Sequence, residues 1–118
     1  MRIGELARQT GTTRKALRYY EEVGLLDASR LANGYRDYDE RDVRLVREVR
    51  ALSSLGIGAD QARPFVECLV SGHVRGDDCA APLEVYRAAL GELDDRIAAL
   101  TSRREQITEI LADAEARA

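Results

Sequence analysis

An apolar side chain recurs at every third or fourth residue from Leu83 to Ala114. Leu83, Tyr86, Leu90, Leu93, Ile97, Leu100, Ile107, Leu111 and Ala114 keep this alternation without a slip, and Arg104 takes the one polar seam position. A repeat of 3.5 residues stays on one side of an α-helix, so the pattern predicts one long helix with an apolar stripe. At 1.5 Å per residue such a helix spans about 50 Å. No other stretch of the chain is long enough to cover that stripe, and exposed apolar surface of this extent drives association. The seam therefore predicts a coiled-coil homodimer, most simply about a two-fold axis. Arg104 would fix its register, opposite Glu105, Glu109 or an acid of the other chain. Parallel and antiparallel pairing both satisfy the pattern.

A dimerisation helix at one end leaves the front of the chain to do something else. Ile3, Leu6 and Ala7 form the stripe of a short first helix, which Gly11 ends by supplying a positive φ. Thr12 or Thr13 can cap a second helix that runs to about Glu22, with Gly24 closing it. At 100° per residue, Arg14, Lys15, Arg18 and Tyr19 fall within an arc of about 140°. Ala16, Leu17 and the ring of Tyr20 fall on the other side. Two short helices across a glycine, the second with a cationic and aromatic face, read as a helix-turn-helix that meets DNA.

Asn33-Gly34 follows, the strongest short hairpin signal, with Arg30, Tyr35, Arg36 and Tyr38 around it. A ribbon with Arg and Tyr near its tip is a wing suited to a phosphate backbone or a minor groove. A third helix is expected from Asp39 or Glu40 to about Leu55, buried through Val43, Val46, Val49 and Leu52. Arg41, Arg44, Arg47 and Arg50 line another face of it, as solvated charges or phosphate contacts. A fourth helix is expected from Ala59 or Asp60 to about Val70, burying Ala62, Phe65, Val66 and Leu69. A polar loop, Ser71–Asp78, leads into the long helix. The division expected is a DNA-binding domain at 1–70, a hinge loop at 71–80 and the coiled-coil helix at 81–118. The fold class is mainly α: a winged helix-turn-helix followed by a long dimerisation helix.

Charge supports the division. The net charge of −3 conceals 11 basic and 9 acidic side chains in residues 1–58 against 7 and 12 in residues 59–118. A basic front on an acidic back fits a nucleic-acid module, because the field at the contact face matters more than the sum. No apolar run is long enough to cross a membrane, and the N-terminus turns polar at once. A cytoplasmic protein is expected, with Cys68 and Cys79 reduced. Catalysis is not expected: there is one histidine and no nucleophile-elbow or phosphate-loop motif.

Ile3-Gly4-Glu5-Leu6-Ala7, Thr10-Gly11, Leu17-Arg18-Tyr19-Tyr20-Glu21, Gly24-Leu25, Asn33-Gly34-Tyr35-Arg36 and Tyr38 together closely resemble the MerR family of bacterial transcription regulators. The resemblance covers about residues 1–70 at motif level and the long helix in architecture. It implies four helices with a wing, an antiparallel coiled-coil dimer and a pseudo-palindromic operator between promoter elements. It also implies distortion of the spacer DNA that realigns those elements for RNA polymerase. Carried over by position, Arg14, Lys15, Arg18, Tyr19 and Tyr20 match the recognition helix. Asn33, Gly34, Tyr35, Arg36 and Tyr38 match the wing. Arg18 suits a guanine edge, Lys15 and Arg36 suit phosphate, and the Tyr20 hydroxyl suits phosphate with its ring inward.

The family's metal sensors use a cysteine at the start of the long helix and further cysteines in a loop after it. Cys79 occupies the first place; the sequence carries no later loop, so a site of that type is not expected. Cys68, His73 and Cys79 nonetheless form a compact thiol–imidazole cluster of a kind that suits Zn²⁺ or Cu⁺. The expectation is no cofactor, with that cluster as the candidate if a metal or thiol signal is sensed. An architectural DNA-bending protein, like the excisionase-type winged relatives, is the alternative. A coiled-coil interaction protein leaves the wing and the cationic helix unexplained.

Overall fold

The computed structural model describes residues 1–27, 29–30, 34 and 36–118. Its elements are α1 (Ile3–Thr10), α2 (Arg14–Glu22), β1 (Ser29–Arg30), β2 (Arg36–Asp37), α3 (Glu40–Ser54), a 3-10 turn (Ala59–Gln61), α4 (Arg63–Val70) and α5 (Ala80–Arg117). The chain divides into two compact units, Met1–Val85 and Tyr86–Ala118.

In the first unit, α1 packs on both α2 and α3, and α4 packs on α3. The core is made by the residues whose periodicity marked them: Leu6, Leu17, Val43, Val46, Val49, Leu52, Ala62 and Phe65 are all buried. Leu25 and Leu26 return to that core after α2. Each helix starts for a local reason. The Thr13 hydroxyl accepts from the Ala16 amide at 3.1 Å and caps α2. Asp39 caps α3 by accepting from the Arg41 and Asp42 amides, and Asp42 accepts from the Asp39 amide in return. The Arg41 guanidinium holds the Asp39 carboxyl below its usual range, whereas burial pushes the Asp42 carboxyl up.

The fourth helix is shorter than the sequence suggests. Pro64 has no amide hydrogen to give to residue 60, so a helix running through from Ala59 would be interrupted there. The chain instead makes the 3-10 turn and restarts, with Pro64 in the first turn of α4. That start buries Cys68 beside Phe65 and Val66, and leaves Leu69 half-buried instead.

The loop 71–78 is held against α3. Arg44 donates to the Val74 carbonyl at 3.1 Å. Gly76 approaches the Glu48 side chain closely: a Cβ there would lie 2.6 Å from the carboxylate, which would have to move aside. Burial first, and the neighbouring Asp77 second, push the Glu48 carboxyl above its usual range.

α5 is one continuous helix of 38 residues. In the second unit its seam is uncovered: Leu90, Leu93, Ile97, Leu100, Ile107 and Leu111 are 45–61% exposed. No helix of the described residues is long and apolar enough to cross a membrane.

Candidate nucleic-acid interface

α2 stands on the core through Leu17 and Tyr20, 0% and 8% exposed. Those two anchors fix which way the rest of the helix faces. Arg14, Lys15 and Arg18 are exposed and Tyr19 is 46% exposed. The wheel expectation of Tyr19 outward and Tyr20 inward holds, with their rings 6.4 Å apart and tilted. Among the described residues, none holds the Lys15 or Arg18 side chain in an ion pair. The Arg14 guanidinium lies over Gly4 of α1, where a Cβ would come within 2.6 Å of it. Gly4 is a position whose role the sequence alone did not reveal.

The charges of α2 run against its own dipole. Its first turn carries Arg14 and Lys15 and no acid, and its last turn carries Glu21 and Glu22 and no base. Cations near a helix N-terminus and anions near its C-terminus each cost about 0.3–1 kcal/mol. A helix selected for stability alone would reverse them. Here the first-turn amides, of which Thr13 caps that of Ala16, and two cationic side chains gather at one end, which is an arrangement that attracts an anion.

α1 is placed by the turn and by α3. Gly11 has φ 67° and receives the end of α1, and a Cβ there would lie 2.8 Å from the Arg50 guanidinium. Arg50 donates to the Thr10 carbonyl at 2.6 Å, and Arg47 to the Gln9 carbonyl at 3.4 Å. Both cations thus sit at the negative end of the α1 dipole. The arginine row of α3 is therefore built into the fold: Arg44, Arg47 and Arg50 tie neighbouring carbonyls, and Arg41 pairs with Asp39.

The wing is a two-stranded antiparallel ribbon, with Ser29 opposite Asp37 and Arg30 opposite Arg36. This register leaves residues 31–35 between the paired ends. Gly34, exposed and at φ 86°, adopts the positive φ that the Asn-Gly signal predicts. Asn33 and Tyr35 lie outside the described residues, and Arg36 is described only as part of β2. Met1 closes the base of the ribbon: its amino group donates to the Tyr38 carbonyl and the Asp37 carboxylate, and its carbonyl accepts from the Tyr38 amide.

Tyr38 corrects the sequence reading. It was expected among the wing contacts, yet it is 2% exposed and its hydroxyl donates to Glu21 at the end of α2. Its position follows β2 directly, and its ring is buried, as are Leu25 and Leu26 after α2. Tyr38 thus ties the end of the wing to the end of α2.

The two cysteines are a second correction. They were expected as free thiols; Cys68 and Cys79 are paired as a disulfide, with Cα atoms 6.0 Å apart. The docked loop brings the residue before α5 back over α4. His73 joins them, its Nδ1 3.2 Å from the Cys68 carbonyl and 3.6 Å from Cys79 Sγ. The three candidate ligand atoms lie within 4.8 Å of one another.

Residues 1–67 match the MerR HTH family of regulatory proteins. The chain is 31% identical over 112 residues to the HTH-type transcriptional regulator HmrR of Rhizobium leguminosarum, covering 94% of this chain and 84% of that one. It is 40% identical over 107 residues to the nodulation protein NolA of Bradyrhizobium elkanii, covering 88% of this chain and 48% of that protein. The chain thus spans about half the length of NolA. Its fold is similar to that of HiNmlR, a MerR family regulator lacking the sensor domain, bound to promoter DNA (TM-score 0.59, 22% identity, 89% of this chain and 78% of that one). It is also similar to a transcription regulator from Ralstonia metallidurans in complex with lead(II) (TM-score 0.68, 21% identity, 92% and 83%). With its helix-turn-helix and ribbon inside the matched residues 1–67, the chain belongs to the MerR family of transcription regulators.

Proposed function

We propose that the chain is a homodimeric, sequence-specific regulator that binds a pseudo-palindromic promoter operator. The supporting observation is the α2 face, whose cations are exposed, unpaired among the described residues and set against the helix dipole. Arg18, at mid-helix, takes a base edge, where its fork matches guanine. Arg14 and Lys15, beside the first-turn amides, take phosphate, with Tyr19 next to them. The Tyr20 hydroxyl reaches backbone phosphate from the rim of the core. Asn33, Gly34, Tyr35 and Arg36 carry the wing contact, with Tyr38 as its anchor. Residues 1–70 are the DNA-binding domain, 71–80 the connecting loop and 81–118 the dimerisation helix. Two copies pair along Leu83, Tyr86, Leu90, Leu93, Ile97, Leu100, Ile107 and Leu111, with Arg104 setting register. Binding distorts the promoter spacer, and RNA polymerase is the partner that reads the distortion. The protein acts in the cytoplasm and performs no catalysis.

The architectural DNA-bending alternative shares the winged head and differs in symmetry. Selection of bound fragments from random DNA, followed by footprinting, separates the two. The regulator gives a two-fold footprint and an affinity that falls steeply with salt. A single asymmetric footprint from a monomer would overturn the reading.

A further inference from the structure

The disulfide accounts for two of the three residues gathered at the start of α5. It does not account for His73. We infer that the dithiol form of Cys68 and Cys79, together with His73, is a chelating site for one thiophilic cation per chain, with Zn²⁺ as the probe. All three ligands come from the first unit of one chain. The inference is independent of how α2 reads DNA.

The imidazole carries the argument. Its Nδ1 is 3.2 Å from the Cys68 carbonyl, so Nδ1–H donates there. In that tautomer Nε2 carries the lone pair; Cys79 Sγ stands beside the ring, 3.9 Å from Nε2 and 3.6 Å from Nδ1. A ligating histidine commonly has its other N–H held by a carbonyl in this way. Zn–N of about 2.0 Å and Zn–S of about 2.3 Å set two ligands of one tetrahedral ion roughly 3.5 Å apart. The three donor atoms lie within 4.8 Å of one another, so the Cys79 side chain, once freed from the disulfide, has only a short way to move to complete the set.

The scaffold is set before any ion arrives. The His73 amide donates to the Cys68 carbonyl at 3.4 Å, Arg44 holds Val74, and Gly76 fits against Glu48. Sequence spacing alone, four residues and then five, would leave the donors apart on a free loop. A loop pinned to α3 keeps them together and lowers the ordering cost of binding. Two thiolates and an imidazole are soft donors, so they favour Zn²⁺ or Cu⁺ over Mg²⁺ or Ca²⁺.

The ion and the disulfide exclude each other, because both use the same sulfur electron pairs. A dithiol reductant delivers two electrons and two protons to the pair and leaves as its own disulfide. Zn²⁺ then displaces the two thiol protons. Three protein ligands leave one coordination position for water.

The test titrates the whole reduced protein with Zn²⁺ against a chromophoric chelator, and with Co²⁺ for its thiolate charge-transfer absorption. One ion per chain is expected, with sub-micromolar affinity. Cys68 is in the core, so Cys79→Ser and His73→Ala carry the test, with helix content checked by circular dichroism. Cys79→Ser should abolish binding. His73→Ala should weaken it by about tenfold or more and change the Co²⁺ ligand-field bands. The oxidised protein should bind nothing. Absence of stoichiometric binding to the reduced protein would overturn the inference. So would His73→Ala binding as tightly as the parent. DNA affinity, measured separately on the same samples, reports on the proposed function whichever way the titration falls.

Discussion

Replacing Tyr38 by Phe removes one oxygen atom and tests where that residue works. The ring stays, so no cavity opens and the apolar burial is kept. What goes is the hydrogen bond from the hydroxyl to the Glu21 carboxylate. Hydrogen bonds to a charged group contribute about 1.5–3 kcal/mol, and the low end applies because Glu21 is half-buried. A loss of about 1.5 kcal/mol is a roughly tenfold fall in the folding equilibrium constant. Urea unfolding at fixed protein concentration measures it, since a dimer's apparent stability depends on concentration. A double-mutant cycle with Glu21→Gln should give a coupling of about 1 kcal/mol or more. The folded variant should retain its DNA affinity, because the hydroxyl faces α2. Unchanged stability with weakened DNA binding would refute the reasoning and return Tyr38 to the contact surface.

Three further outcomes follow from the geometry. Leu93→Asp together with Ile97→Asp should give monomers in sedimentation, because burial of each aliphatic seam side chain contributes about 1.5–3 kcal/mol and a charge forfeits it on both helices; surviving dimers would contradict the seam. Gly11→Ala should destabilise the first unit by about 1 kcal/mol or more in urea, since it forces a side chain to φ 67° and displaces Arg50 from the Thr10 carbonyl; an unaffected midpoint would contradict this. Glu48 gives a pH signature. Its folded carboxyl is raised above the model-compound value of 4.5, so the native state keeps a proton that the unfolded state releases. That contribution to stability is lost as pH rises from about 4.5 through the folded value, and Glu48→Gln should remove the decline. A parent-minus-variant difference that is the same at pH 4.5 and pH 7 would contradict the assignment.

Much of this architecture was legible because periodicity and punctuation are local. Leu17 and Tyr20 against Arg14 and Arg18, the Gly11 turn, the Thr13 cap and the α3 stripe all follow from spacing. The misses are tertiary. Nothing in the sequence says that the Tyr38 ring turns inward, because an aromatic beside a wing suits a core and a groove equally. The split at Pro64 moved the start of the fourth helix from Ala59 or Asp60 to Arg63, and Leu69 is half-buried where full burial is expected from the spacing. Arg47 and Arg50 looked like solvated charges because their acceptors are carbonyls 38 and 40 residues away. The Cys68, His73 and Cys79 cluster was visible as spacing. Its closeness goes with a loop held by the His73 bonds to the Cys68 carbonyl and by Arg44 on the Val74 carbonyl, a tie 30 residues long that spacing does not encode.

The most direct test of the account compares Arg18→Ala with Lys15→Ala on the selected operator and on scrambled DNA. The account predicts that Arg18→Ala lowers the specific-to-non-specific ratio by about 1–3 kcal/mol at one base position. Lys15→Ala should weaken both DNAs alike and reduce the salt slope by about one. An Arg18→Ala variant whose ratio equals that of the parent would contradict the claim that this face of α2 reads sequence.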